Sequence, residues 1–315
     1  EAGGAIAYVV KANGDIIGAA IGESEPGVAL NTDMRFAIGS VSKTFTAVLI
    51  LRLIENGDLS LDATIEELLP ALVSDKIPGV ITVEDLLYHK SGLDHPLPGA
   101  DGLFNYVINN PEDEITLDDF IAFMDLPHND PGALYSYSDA NYKVLGLIIE
   151  KITGMDYYDY LDRELISPLG LTGIFRGSSN LPDRNIAYSW VGTDSAKDLN
   201  RTAVESMGKY TGDIWASAPD LSKWFGAIFE GSLLNDASME VMTSFYPGER
   251  GVSYGGGMLR DKIDGKIIYY YSGFTISYST YSGYVRSTGD YFVVMNNQWN
   301  SEEILNMVAD LVTAL

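Results

Sequence analysis

Apolar and polar positions follow strand-like spacing at both ends of this chain and helical spacing in between. Ala5-Ile6-Ala7-Tyr8-Val9-Val10 and Asp15-Ile16-Ile17-Gly18-Ala19-Ala20-Ile21 are two short apolar runs joined by Lys11-Ala12-Asn13-Gly14. An Asn-Gly pair between such runs tolerates the positive φ of a tight turn, so the spacing predicts a hairpin. From Phe45 to Ile54 the chain is apolar nearly all round and stops at Gly57, the pattern of a helix buried in the middle of the molecule. Between Asp58 and about Asn200, residues 83–87, 117–124, 141–153 and 156–166 read as helices separated by polar loops. Gly154 closes the third and Pro168 follows the fourth. A further helix is predicted over 221–229, introduced by Pro219-Asp220, and strand-like runs return at 266–271, 276–281 and 291–295. Residues 301–315 finish as an amphipathic helix. Sheet at both termini with helices between predicts an α/β (α+β) fold, with residues 1–60 and 205–315 forming a sheet domain and 61–204 an inserted, mainly helical lobe.

Composition narrows the function more than the fold. The chain carries 44 acidic against 20 basic residues, a net charge of −24, which disfavours nucleic acid and anionic membranes as partners. The acidic residues are scattered (Glu66-Glu67, Glu112-Asp113-Glu114, Asp118-Asp119, Glu302-Glu303) and read as a solvated surface. No apolar run approaches the ~20 residues that span a bilayer. Glu1-Ala2-Gly3-Gly4 is not a signal-peptide pattern, which leaves open a leader removed ahead of it. Cysteine is absent, so disulfide and thiolate chemistry are out.

Candidate chemistry sits at the start of the apolar helix, in Gly39-Ser40-Val41-Ser42-Lys43. Serine and lysine three residues apart lie on one helix face, one turn from each other, which suits a nucleophile and its proton acceptor. A serine at a helix start also has backbone N–H groups and the positive end of the helix dipole at hand to stabilise an oxyanion. The same serine reads equally as a plain N-cap. Ser206-Met-Gly-Lys209 has the same spacing, but it contains a glycine and leads into no apolar helix. The histidines (His89, His95 and His128) show no metal-ligand spacing, no Gly-Xaa-Ser-Xaa-Gly elbow occurs, and a structural role is the favoured reading for each. Without a histidine base, Ser40 would be activated by Lys43, aided by a second group whose pKa the site can tune; Tyr137-Ser138-Asp139 offers one.

With these residues the chain resembles the serine β-lactamase and penicillin-binding-protein superfamily, in its class C-like branch of D,D-peptidases, D-aminopeptidases and family VIII esterases. Ser40-Val41-Ser42-Lys43 matches the first motif, Tyr137-Ser138-Asp139 the second (usually Tyr-Xaa-Asn), and Tyr271-Ser272-Gly273 stands where Lys-Thr-Gly or His-Thr-Gly is expected. Supporting stretches follow in order: Leu53 to Asp62, Ile81 to Leu93, Pro168-Leu169-Gly170-Leu171 and Ala218-Pro219-Asp220-Leu221. The resemblance implies an antiparallel sheet flanked by helices, with the site in the cleft between two lobes. It also implies an acyl-enzyme on Ser40, proton transfer shared by Lys43 and Tyr137, and an oxyanion hole from the backbone N–H groups of Ser40 and Phe274. Asp139, Tyr271, Ser272, Gly273 and Phe274 would contact substrate, no metal or organic cofactor is implied, and an extracytoplasmic location is the family habit.

Two departures bear on specificity. Asp139 replaces an asparagine that could donate to a substrate carbonyl, whereas a carboxylate only accepts. Tyr271 replaces the cation that holds a substrate carboxylate, which should cost anionic substrates ~1–3 kcal/mol. A D,D-peptidase or D-amino-acid peptidase activity is therefore expected ahead of efficient β-lactamase action. A carboxylesterase, or a protein that accepts an acyl group without turning it over, are the alternatives.

Overall fold

The two ends of the chain meet in one sheet because their apolar strands are complementary in pattern. In the computed structural model, which describes residues 3–99, 101–177, 185–191, 194–195, 201–231, 233–248, 251–298 and 301–315, Gly4–Val10 lies antiparallel to Asp290–Asn296, with Ala5 opposite Asn296 and Val10 opposite Tyr291. Among the described residues the sheet has nine strands. Their order is Val28–Ala29, Ile16–Glu25, Gly4–Val10, Asp290–Asn296, Ser279–Val285, Lys266–Phe274, Leu259–Ile263, Ser253–Tyr254 and Tyr246–Pro247. Each neighbour is antiparallel. The predicted hairpin forms, with Val10 opposite Ile16 and Gly14 at φ +89° in the turn.

The period-2 alternation of the strands sends neighbouring side chains to two different cores. Val9, Ile268, Tyr270, Phe292 and Val294 face the Ser301–Ala314 helix, which presents Ile304, Val308 and Val312 at four-residue spacing. Tyr8, Tyr271, Val293 and Met295 point the other way, into the main core. That core holds the Ala218–Phe229 helix, capped by the Ser217 side chain with Pro219 in its first turn, and the Lys43–Glu55 helix behind it. Residues 43–51 of the latter are all buried, and the Phe45 ring stacks on Trp224 with centroids 4.0 Å apart. Such a helix is rigidly held, which matters for what its first turn carries.

Element types follow the pattern better than element limits do. The strand expected over 276–281 starts later, at Ser279–Val285, because Thr275 N–H donates to the Tyr278 carbonyl and closes a turn there. The helix expected over 156–166 is Tyr157–Leu161 continued by a π turn at Asp162–Ile166. Leu103–Asn109, Thr202–Gly208 and Asp236–Thr243 are helices that the periodicity did not announce. Within the stretch expected to be helical, Phe175–Arg176 pairs with Ile214–Ser217, which also pairs with Arg35–Ala37. The parts of that stretch at 178–184, 192–193 and 196–200 lie outside the described residues. No helix among the described residues is long and apolar enough to cross a membrane.

Candidate active site

The nucleophile turn is pinned against the sheet by glycine contacts that leave no room for a side chain. Ser40 lies in a 3-10 turn, Gly39–Ser42, and the α-helix begins only at Lys43, so the serine is not the helix N-cap. Gly39 has φ +52°, and a Cβ there would come within 2.7 Å of Phe274 N. On the facing strand a Cβ on Gly273 would sit 1.9 Å from the Ile38 carbonyl oxygen and 2.8 Å from Ser40 N. The Lys266–Phe274 strand and the nucleophile turn therefore touch backbone to backbone. This contact brings the N–H groups of Ser40 and Phe274, both predicted oxyanion donors, to one place.

Lys43, fully buried, uses three N–H bonds. It donates to Ser40 Oγ at 2.9 Å and to the Thr211 carbonyl at 3.0 Å, and it pairs with Asp139 Oδ1 at 2.7 Å. Three donors is the full capacity of the ammonium form. Tyr137 Oη stands 2.8 Å from Ser40 Oγ and donates to Asp139 Oδ1 at 3.3 Å, so the Ser40 proton points at the phenolic oxygen. Burial lowers the Lys43 pKa, and the Asp139 charge opposes that shift. Burial also disfavours the Asp139 carboxylate, but Lys43 and then His95 outweigh it and leave the carboxyl at about 2. The Tyr137 phenol is held well above its ordinary value, by burial first and by Asp139 second. The three acceptors around Lys43 fit the ammonium form, paired with an ionised Asp139 beside a neutral Tyr137 phenol.

Tyr137 and Asp139 are set in place by the start of a helix and by one histidine. Ser138 caps the Asp139–Thr153 helix by accepting from Ala140 N, and its hydroxyl donates to the Asp94 carbonyl at 2.6 Å. The His89 carbonyl accepts from Ser136 N, and its Nδ1 accepts from Ser138 N at 3.2 Å and faces Asn141 Nδ2 at 3.0 Å. Its ring lies 4.5 Å from that of Tyr137, centroid to centroid. His89 thus brackets the tyrosine on both sides; burial keeps its imidazole neutral. His128 pairs with Asp94 at 2.6 Å on the far side of that loop.

The third motif faces the same space. Tyr271 is buried and its hydroxyl lies 2.7 Å from that of Tyr254. A cleft of about 350 Å³ is lined by Ser40, Tyr137, Asp139, Tyr271, Ser272 and Phe274, together with His95, Leu97, Tyr135, Tyr254 and Leu259. The structure thus brings together in one cleft every predicted site residue except Lys43, buried beneath Ser40, and Gly273, whose role is the close strand contact. Sequence reasoning missed Thr211, Tyr254 and His95. Thr211 acts through its carbonyl and Tyr254 stands far from any motif, so neither left a signal. His95 follows the Ser-Gly-Leu stretch by only two residues and could have been noticed.

The profile of the Beta-lactamase family matches residues 1–314. The chain belongs to that family. PbpX of Bacillus subtilis, which carries the name of a penicillin-binding protein, is 30% identical over 217 residues, covering 68% of this chain and 50% of that protein. Penicillin-binding protein 4 of Amycolatopsis lactamdurans is 31% identical over 166 residues, 51% of this chain and 40% of that protein. The chain thus matches half or less of the length of these curated relatives. Among solved structures, a D-stereospecific amidohydrolase from Streptomyces sp. superposes with a TM-score of 0.82 at 25% identity, covering 96% of this chain and 92% of the other. The D-amino acid amidase of Ochrobactrum anthropi gives 0.83 at 21% identity, with 99% and 95% covered, a likeness of fold.

Behind the site of this Beta-lactamase family member lies a second buried carboxyl. Asp213 accepts a hydrogen bond from Tyr158 through Oδ2, while its buried Oδ1 has no partner. Burial raises its pKa from 3.8 to about 7. Between those values the folded state binds more protons than the unfolded chain, so its contribution to stability is complete below pH 3.8 and lost as pH rises through about 7. A shift of this size corresponds to on the order of 4 kcal/mol as an upper figure. Asp213→Asn cannot ionise; its Tm minus that of the unaltered protein should therefore grow from about pH 4 to about pH 7 and level off above. A flat difference in thermal melts across that range would refute the assignment.

Proposed function

We propose that this protein is a serine hydrolase that opens an amide bond next to a D-configured centre, through an acyl-enzyme on Ser40. The observation that carries it is the hydrogen-bonded set of Ser40, Lys43 and Tyr137 beside the closely packed backbone of Gly39-Ser40 and Gly273-Phe274. Lys43 in its neutral form takes the Ser40 proton as Oγ adds to the carbonyl carbon, and the two N–H groups receive the oxyanion. Tyr137 gives its proton to the departing nitrogen and regains one from Lys43, leaving Ser40 acylated. Water, deprotonated by the same pair, then adds to the ester and releases the acid. The D-configuration follows the neighbours named as a D-stereospecific amidohydrolase and a D-amino acid amidase.

A D,D-carboxypeptidase or a β-lactamase needs an anchor for a substrate carboxylate, and the cleft lining contains neither lysine nor arginine. The same absence favours a carboxylesterase as second reading. Intact-mass time courses with a p-nitrophenyl ester and with benzylpenicillin test both. A transient adduct from the ester with little or none from penicillin is expected; rapid formation and decay of a penicillin adduct would turn the reading back to β-lactamase chemistry.

The electrostatics give a pH prediction. Asp139 raises the Lys43 pKa, so Asp139→Asn leaves the lysine with burial alone and a lower pKa. The acidic limb of kcat/KM, which reports loss of the Lys43 proton, should move to lower pH in the variant. A profile that stays where it was would argue against Lys43 as the base.

A further inference from the structure

We propose that Tyr158 and Asp213 are positioning residues for the reaction: their hydroxyl–carboxyl contact fixes the turn at 209–213 so that the Thr211 carbonyl holds Lys43 beneath Ser40. This rests on the hydrolase reading above. The first observation is how the turn is suspended. Its three successive carbonyls each accept from a side chain of the Lys43–Glu55 or Asp139–Thr153 helix: Lys209 from Lys143 at 3.4 Å, Tyr210 from Thr46 Oγ1 at 2.9 Å, and Thr211 from Lys43 at 3.0 Å. The backbone bends there through Tyr210, whose φ of +71° lies in the left-handed region that a bulky side chain rarely adopts. The Tyr210 ring fills the notch at Gly146, where a Cβ would come within 2.3 Å of its Cγ, and it meets Tyr157 edge-on with centroids 5.1 Å apart. A strained residue of this kind persists only where its surroundings over-determine it.

Tyr158 makes the second observation. Its hydroxyl donates to Asp213 Oδ2, and the backbone N–H of Tyr210 lies against the same oxygen. One side chain therefore ties the residue before Thr211 to the residue two after it. The Tyr158 ring is itself held edge-on to Tyr157 and covered by the Arg176 guanidinium at 4.8 Å. On the inner side, a Cβ on Gly212 would meet the Gly39 carbonyl carbon at 3.5 Å, so the turn rests directly on the nucleophile turn. Burying a carboxyl is costly, and Asp213 keeps Oδ1 without a partner, which leaves the Tyr158 contact as what its burial secures. A carboxyl accepts from a phenol in either protonation state, so the tie survives the titration of Asp213.

A carbonyl oxygen aimed at an ammonium favours the charged form, which links the turn to the reaction. Burial and Asp139 govern Lys43, and Tyr137, His89 and Lys143 are the further titratable groups that face it. Around Asp213 stand Tyr158, Lys143 and Glu205. Asp213 is not among the groups that act on the Lys43 charge, so its influence passes through the Thr211 carbonyl. Releasing the turn takes one of three acceptors from Lys43, lowers its proton affinity and loosens its place under Ser40. The cleft lining contains no residue of 209–213, so substrate binding should be little affected. The loss should therefore fall on kcat rather than KM, and the acidic limb of kcat/KM should move to lower pH.

The test follows p-nitrophenyl acetate hydrolysis across the acidic limb, with Ser40→Ala as the blank and thermal melts alongside. Tyr158→Phe, which loses one hydroxyl, and Asp213→Ala should each lower kcat about ten-fold and shift the limb down by about one pH unit. Asp213→Asn keeps an amide oxygen that accepts from Tyr158 and should restore both. Val308→Ala opens a cavity under the C-terminal helix, on the other face of the sheet; it should lower Tm and leave the limb in place. Ser40-dependent turnover with kcat and limb unmoved in Tyr158→Phe and Asp213→Ala would overturn the inference and leave the hydrolase reading standing. An Asp213→Asn variant as impaired as Asp213→Ala, or an equal limb shift in Val308→Ala, would overturn the role given to the Tyr158 contact. Absence of Ser40-dependent turnover in the unaltered protein would overturn both readings.

Discussion

Ser40→Ala is expected to lower kcat on a p-nitrophenyl ester by at least about 10³-fold and to abolish the acyl adduct in the intact-mass spectrum. The loss should be this large because no other group in the cleft can replace the nucleophile. The chain has no cysteine, and Ser272, the remaining serine of the lining, lies on the strand side rather than beside Lys43. Lys43 keeps its bonds to Thr211 and Asp139 in the variant, so the fold should be retained and Tm little changed. Residual activity within ten-fold of the unaltered enzyme would remove Ser40 from the mechanism.

Gly273→Ala should be the most damaging change of a single methyl group. Its Cβ would enter the Ile38 carbonyl at 1.9 Å and press on Ser40 N at 2.8 Å, both backbone atoms that cannot swing away. The strand and the nucleophile turn must separate, and both oxyanion donors move with them. A shift near 1 Å at such a centre costs about 10²-fold in rate, and overpacking costs a further ~1–3 kcal/mol of stability. Ester kinetics together with thermal melting measure both. The serine should still acylate slowly, since Ser40, Lys43 and Tyr137 remain; full activity with unchanged Tm would mean that the close contact does not position the site.

How far the site could be read depended on whether its parts are sequence neighbours. Ser40 and Lys43 are a turn apart, so local spacing announced that pair, while Tyr137 and Asp139, two residues apart, were legible through their resemblance to a Tyr-Xaa-Asn motif. The buried helix behind Ser40 was equally legible, because an all-round apolar run has few other solutions. Strand limits at 276–281 were not, since a turn closed by a backbone hydrogen bond has no composition signal. Likewise the π turn at Asp162–Ile166 depends on packing rather than periodicity.

The sequence by itself determined the two apolar strand sets, the central helix, the nucleophile with its lysine, and the two departures at Asp139 and Tyr271. Those properties reside in residue identity and short-range spacing. Only the tertiary structure decided that residues 97 positions apart, Ser40 and Tyr137, share a hydrogen bond, and that Thr211 supplies the third partner of Lys43. It alone set the buried Tyr271 hydroxyl 2.7 Å from that of Tyr254. Proton direction and charge balance depend on what lies within about 3 Å in space, and the order of residues along a chain does not carry that distance.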